Sequence, residues 1–289
     1  MMSVILALLS AFAYGAADYM GGIASRRARV LAVVVISQLV GLALLLLLLR
    51  FLPAAYPSRT DLLFGALAGV TGAFGIAFLY RGLSLGRMSV VSPITAVVAA
   101  VAPVVFGLST GERPSLVALA GVVIALIAIT LVTSSPGHDE HGVPRTFSGP
   151  WWREPGVLDA FVSGLAIGGF YIFIARTSPA SGLWPLVPSR LMSCMICAIA
   201  ALVLRHSLRP VPGSLRLIIA AGAVDVGANA LYLEATRHGL LSLVAVLASL
   251  YPASTVVLAR VLLKERFTAA QMAGMACAAA GVACIAFGR

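Results

Sequence analysis

The second half of the chain repeats the first at one fixed offset, and each half carries five apolar segments of membrane length. Gly86 matches Gly239, Glu112-Arg113 matches Glu265-Arg266, and Gly121 matches Gly274; each pair differs by 153 (239−86, 265−112, 274−121). The register extends upstream, where Ser10 matches Ser163, Gly15 matches Gly168 and Pro57 matches Pro210. Two copies of a unit with an odd number of crossings enter a membrane in opposite orientations, because the second starts on the side where the first ended. Inverted repeats of this kind accompany alternating access in many membrane proteins.

A helix needs about 20 apolar residues to cross the bilayer's ~30 Å hydrocarbon core. Segments that meet this length run over 2–24, 30–49, 61–80, 88–109 and 114–134 in the first half, and over 157–176, 184–204, 214–234, 239–260 and 267–287 in the second. The expected fold is therefore an all-α integral membrane protein of about ten transmembrane helices, arranged as two inverted five-helix repeats around a central cavity. Residues 1–134 form the first repeat, 135–156 a hydrophilic linker rich in Pro and Gly, and 157–289 the second. The N-terminal segment offers a small-x-small pattern at Ala11-Phe12-Ala13, but no Lys or Arg precedes it and it has a counterpart at Asp159–Gly169. It reads as the first membrane helix rather than as a cleaved signal. Small residues recur within the spans, as in Gly65–Gly69, and let helix backbones approach closely where lipid supplies no hydrophobic drive for association.

Only 10% of the residues are charged, against roughly 25% in a soluble domain. The net charge of +10 is spread between the apolar runs, where basic residues act as topology and headgroup anchors. It is not gathered into a surface for nucleic acid, which is excluded as a partner; the lipid bilayer is the expected one. Counting Arg and Lys in the loops, the positive-inside rule puts both termini outside. The expected location is a bacterial plasma (inner) membrane. The four cysteines, Cys194, Cys197, Cys277 and Cys284, lie in apolar runs and read as small helix residues. A run in the linker, His138-Asp139-Glu140-His141, has no further ligands nearby, so no metal is expected.

Several motifs point the same way. Gly111-Glu112-Arg113 at the connection between the fourth and fifth segments is echoed by Lys264-Glu265-Arg266, and Gly121 and Gly274 follow. With the turn from Tyr80 to Ser89, these residues resemble EamA-type members of the drug/metabolite transporter superfamily. Arg190 sits where such members commonly carry an Arg in the second helix of a repeat; the first repeat departs from this, with Ser37 in register. The resemblance covers the whole chain. It implies a ten-helix basket whose central cavity is surrounded by the first, third, fourth, sixth, eighth and ninth helices, moving small metabolites by export or exchange.

Charged groups inside a bilayer cost roughly 2.5–3.5 kcal/mol at a helix centre on insertion scales, so their positions carry information. Ser10, Tyr14 and Asp18 recur every four residues and form one stripe on the first helix. Asp225 lies midway along the eighth, followed by Asn229 and Tyr232, and Arg190 is the cation of the seventh. Asp18 and Asp225 are candidates for proton coupling, because desolvation favours the neutral carboxyl and suits it to exchange near neutral pH. The competing expectation is that Arg190 permanently neutralises whichever carboxylate lies closer, leaving the other to couple. Two acids against one Arg favour a cationic or zwitterionic small-molecule substrate. Ser92, Thr95 and Tyr251 are further candidates to hold it, although a membrane hydroxyl more often bonds back to its own helix. Pro93, Pro103 and Pro252 free carbonyls inside spans and can kink them. Glu112 and Glu265 are assigned to structure at helix starts, and Glu234 with Arg237 to an interfacial pair.

No GxxxxGK[ST] loop occurs, so ATP hydrolysis is excluded and no cofactor is expected. The leading expectation is a secondary active transporter, an exporter or exchanger and not an enzyme, that can work as a monomer. A lipid or isoprenoid-carrier translocator would share the architecture; a polytopic membrane enzyme would need a surface acid or His cluster that the helices lack.

Overall fold

The computed structural model describes residues 1–25, 28–52, 55–85, 88–133, 155–205, 207–209, 213–254, 257–258 and 268–288, without the side chains of 80, 83–84, 88–90 and 92–93. Among the described residues there is no strand, and ten α-helices follow one another. They are α1 (Met2–Ser25), α2 (Val30–Leu49), α3 (Arg59–Leu85), α4 (Met88–Ser109) and α5 (Leu116–Thr133), then α6 (Val157–Ala175), α7 (Leu186–Val203), α8 (Leu215–Arg237), α9 (Leu241–Ala248) and α10 (Ala269–Phe287). Eight of them contain stretches long and apolar enough to cross a bilayer. The remaining apolar helical stretches are shorter, Ile94–Ser109 in α4 and Leu241–Ser254 from α9 onward. Within the second, α9 gives way to a turn at Ser249 and Leu250. Pro252 has no N–H to bond back to Ala248, and the backbone tightens ahead of it through Leu250 N–H to Leu247 O (3.2 Å) and Ala253 N–H to Leu250 O (2.9 Å). The linker run at 138–141 and Glu265 lie outside the described residues.

Each helix satisfies its backbone internally, which hydrocarbon demands. The outward faces carry large apolar side chains such as Leu47, Ile127, Phe161 and Leu202, each about half exposed or more, as a lipid-facing surface requires. Helix ends are tied off individually: Thr268 and Gln271 form a capping box on α10, and Ser58 caps α3 by accepting from Asp61 N–H (3.1 Å). Glu112, expected at the start of its own following helix, instead spans to α9. Its carboxylate accepts from Leu241 N–H (2.7 Å) and Ser242 N–H (3.0 Å), so two orphan donors of α9 are met by the first half of the chain.

The packing pairs exchange under the 153-residue offset. Helix α1 lies on α8 as α6 lies on α3; α2 lies on α8 as α7 lies on α3; α1 touches α9 as α6 touches α4. Helices α5 and α10 pack on each other, with Gly121 against the backbone of Gly281 and Gly274 against Val132. One hydrogen bond repeats in register. Ser10 Oγ donates to Ala228 O (2.8 Å), and Ser163 Oγ donates to Gly75 O (2.7 Å), both pairs being offset by 153 (163−10, 228−75).

Candidate functional site

Because Ser10 is bound to α8, the stripe it begins on α1 is turned toward that helix. Tyr14, one turn on, donates its hydroxyl proton to Asn229 Oδ1 (3.1 Å), and Asn229 Nδ2 donates to the backbone O of Asp225 (2.7 Å). Asp18, a further turn along, opens into a cavity of about 190 Å³. The polar wall of this cavity comes from α1, α2, α7 and α8. The apolar wall comes from α3 and α6, with Ile76, Leu79, Ile167 and Phe170 projecting and Gly69 and Gly72 leaving room.

Arg190 is the centre of the polar wall. Its side chain is only 5% exposed, and its Nη1 donates both to Gln38 Oε1 and to Asp225 Oδ2, each at 2.5 Å. Three helices, α2, α7 and α8, thus meet at one guanidinium. Tight backbone contact makes this possible: a Cβ on Gly41 would lie 3.6 Å from Cζ of Arg190 and 3.2 Å from Gly222 O. The second terminal nitrogen, Nη2, is buried and has no partner among the described residues. Asp225 is partly open to the cavity, at 32%. Asp18 is exposed to it, lies close enough to Asp225 for their charges to interact, and meets no cation or hydrogen-bond donor among the described residues. Of two intramembrane carboxylates, one is neutralised and one is not.

The residues singled out in the sequence separate cleanly. Tyr14, Asp18, Arg190, Asp225, Asn229 and Tyr251 line the cavity together. Tyr232 does not; it is fully buried, its ring 4.5 Å from that of Tyr171 and its hydroxyl donating to Tyr171 O (3.4 Å). Thr95 is buried between α4 and α6, where its hydroxyl donates to Ala160 O (3.2 Å). The Ser92 side chain lies outside the described residues. Gln38, Tyr171, Ser189 and Ser193 also line the cavity and were not expected there. Gln38 carried a readable signal, as the one side-chain amide in a 20-residue span whose other polar side chain is Ser37. Tyr171 carried another, since it occupies the register position of Asp18 (171−18 = 153).

Two stretches of the sequence, residues 1–134 and 154–287, match the model of the EamA-like transporter family. The chain belongs to the EamA-like transporter family. It is thereby an integral membrane protein of the drug/metabolite transporter superfamily, as the resemblance of its motifs implied. The fold is similar to that of a solved crystal structure, described simply as that of a protein, with a TM-score of 0.72 at 17% identity over 98% of this chain and 95% of that one. Among curated proteins, none matches the chain with significance.

Proposed function

We propose that this EamA-like chain is a secondary active transporter that exports or exchanges small organic solutes by alternating access. In this reading, residues 1–134 and 157–289 are two inverted five-helix repeats making ten crossings, joined by 135–156. Support comes from the two family matches, the exchangeable helix pairings and the serine bond repeated in register. The observation that carries the reading is the unequal state of the two intramembrane acids. Asp225 is held by Arg190, whereas Asp18 faces the cavity without a counter-ion among the described residues. A carboxylate in that position gains from either a proton or a cationic group of the substrate, so the two compete for it. Asp18 is the coupling group; Asp225 orients Arg190. An internal site lined by acids, an amide and phenols suits a polar metabolite better than a lipid tail.

Proteoliposomes test this. Solutes from a panel of amines, amino acids and nucleobases are screened by counterflow, and their accumulation is then driven by an imposed pH gradient. Asp18→Asn is expected to reduce gradient-driven accumulation about tenfold or more while leaving the exchange of equal pools measurable. Full pH-driven accumulation in a variant lacking both Asp18 and Asp225 would sink the proposal.

A further inference from the structure

The connection from α4 to α5, Gly111-Glu112-Arg113-Pro114-Ser115, sets an acid beside a base. The carboxylate of Glu112 is committed elsewhere, to Leu241 N–H and Ser242 N–H of α9. Arg113 is exposed and forms no ion pair among the described residues. Ser115 accepts from Ala118 N–H (3.1 Å) and donates to Gly288 O, which joins the start of α5 to the end of α10. The start of α1 closes on that of α9, where a Cβ on Gly239 would lie 2.7 Å from Ser3 Oγ. These four helix ends frame a groove of about 340 Å³. Arg113 lies on its rim, and Val4, Ala118, Leu240, Leu243, Val244 and Leu247 form its apolar wall. We infer that this groove holds an anionic phospholipid, with its phosphate on Arg113 and an acyl chain against α9.

The surroundings of the groove point to lipid. Met2 and Ile5 on α1, Leu116 and Val117 on α5, and Phe287 on α10 are each more than half exposed. In an integral membrane protein such side chains face hydrocarbon, so the groove continues the lipid-facing surface. A loop between two membrane helices lies at headgroup depth, where an arginine attracts anionic headgroups. Its planar fork of donors pairs with two phosphate oxygens at once. A soluble anion would find one exposed cation above an apolar wall. A neutral hydrocarbon chain would leave the guanidinium unmatched. An amphiphile with an anionic head meets both. A second cavity at the same end, of about 620 Å³ and lined by Leu6, Leu49 and Leu231, makes the contrast. It too is lined by an arginine, but Arg237 is already paired with Glu234 (3.0 Å). Of the two, the groove at Arg113 is the one that selects by charge.

Purified full-length protein is titrated with phosphatidylglycerol or with phosphatidylcholine of the same acyl chains, and bound copies are counted by native mass spectrometry. Phosphatidylglycerol is expected to bind about fivefold more tightly, the scale of one basic residue at an anionic surface. Arg113→Gln should abolish that preference. Arg59→Gln, which removes an exposed cation at the same end but outside the groove, should keep it. A phosphatidylglycerol with a diazirine on its acyl chain locates the tail. Its cross-links should concentrate on Ser3, Val4 and the stretch Leu240–Leu247, and should fall several-fold in Arg113→Gln. Cross-links spread evenly over the exposed faces of the other helices, or a preference unchanged in Arg113→Gln, overturn the inference. So does displacement of the lipid by an equal concentration of inorganic phosphate, which would make Arg113 a site for a soluble anion. Should Arg113→Gln not fold, the cross-link map of the unaltered protein decides alone. Transport is tested separately by counterflow and stands or falls without this site.

Discussion

Arg190 is tolerable inside a membrane because two oxygens, from Gln38 on α2 and Asp225 on α8, converge on it. The partners are unequally placed. Arg190 is almost completely buried, whereas Asp225 is about one-third open to the cavity and can be hydrated there. Removing the acid therefore strands a buried cation, which costs on the order of 3 kcal/mol or more. We expect Asp225→Asn to lower the thermal unfolding temperature in detergent markedly. The double variant Arg190→Gln/Asp225→Asn should recover much of that loss, since neither charge then needs the other. Additive losses in the double variant would show that the pair is not coupled. The charged members of the site could be read from the sequence because a charge inside an apolar span is rare and has to be accommodated. Hydroxyl groups are different. Thr95 and Tyr232 find carbonyls on the neighbouring α6, and nothing in their spacing distinguishes that outcome from facing the cavity. Gln38 fell between the two cases, being polar enough to matter and uncharged enough to be passed over.

Among the helices, the sequence pattern located the eight long apolar ones to within about five residues, because hydrocarbon thickness sets a length that apolar runs must meet. The ninth segment, expected over 239–260, instead breaks after Ala248. The pattern did not show which runs touch. That information lies in single glycines at crossings. A Cβ on Gly222 of α8 would collide with the backbone oxygen of Ser37 on α2, and one on Gly69 of α3 would collide with that of Ser189 on α7. The two glycines are related by the offset (222−69 = 153), so the same crossing is made twice. Backbone cannot rotate away as a side chain can, so even a methyl group must push these helices apart. Gly227, one and a half turns further along α8, has open space around it. Gly222→Ala should destabilise the protein by about 1–3 kcal/mol. Gly227→Ala should leave it unchanged or raise its stability by up to about 1 kcal/mol, the difference in helix propensity. Unfolding temperatures of the two variants side by side provide the check; equal effects would mean that the α2–α8 crossing is not set by Gly222.

For the molecule as a whole, the end of the bundle at which α3 and α7 begin is tied across its two halves by hydrogen bonds. Asp61, buried at the start of α3, accepts from Ser58 N–H (2.9 Å) and Oγ (2.7 Å) on its own side. It also accepts from Ser178 N–H (2.7 Å) and Oγ (3.0 Å) on the far side. Tyr56 N–H donates to Ala180 O (3.0 Å), and Arg237 holds Gly182 O close by. The register partner of Asp61 is Ser214, so this carboxylate is not repeated by the offset (214−61 = 153); at the other end of α3, Arg81 Nε lies 3.5 Å from Asp159 Oδ1 of α6 instead. Two copies that exchange conformations have equal energies when their contacts match, and each unmatched contact tilts the balance toward the state that makes it. In the alternating-access reading proposed above, Asp61 favours the arrangement closed at its own end. Asp61→Ala is therefore expected to raise exposure of the cavity from that end. Ser193, which lines the cavity and is 5% exposed, can report it as Ser193→Cys, in a background with the four native cysteines replaced by Ala. A membrane-impermeant maleimide applied from the Asp61 face should label it several-fold faster once Asp61 is removed. Asp61→Asn, which keeps one acceptor oxygen, should fall between. A lower unfolding temperature with unchanged labelling would reduce Asp61 to a helix cap that plays no part in closing the cavity.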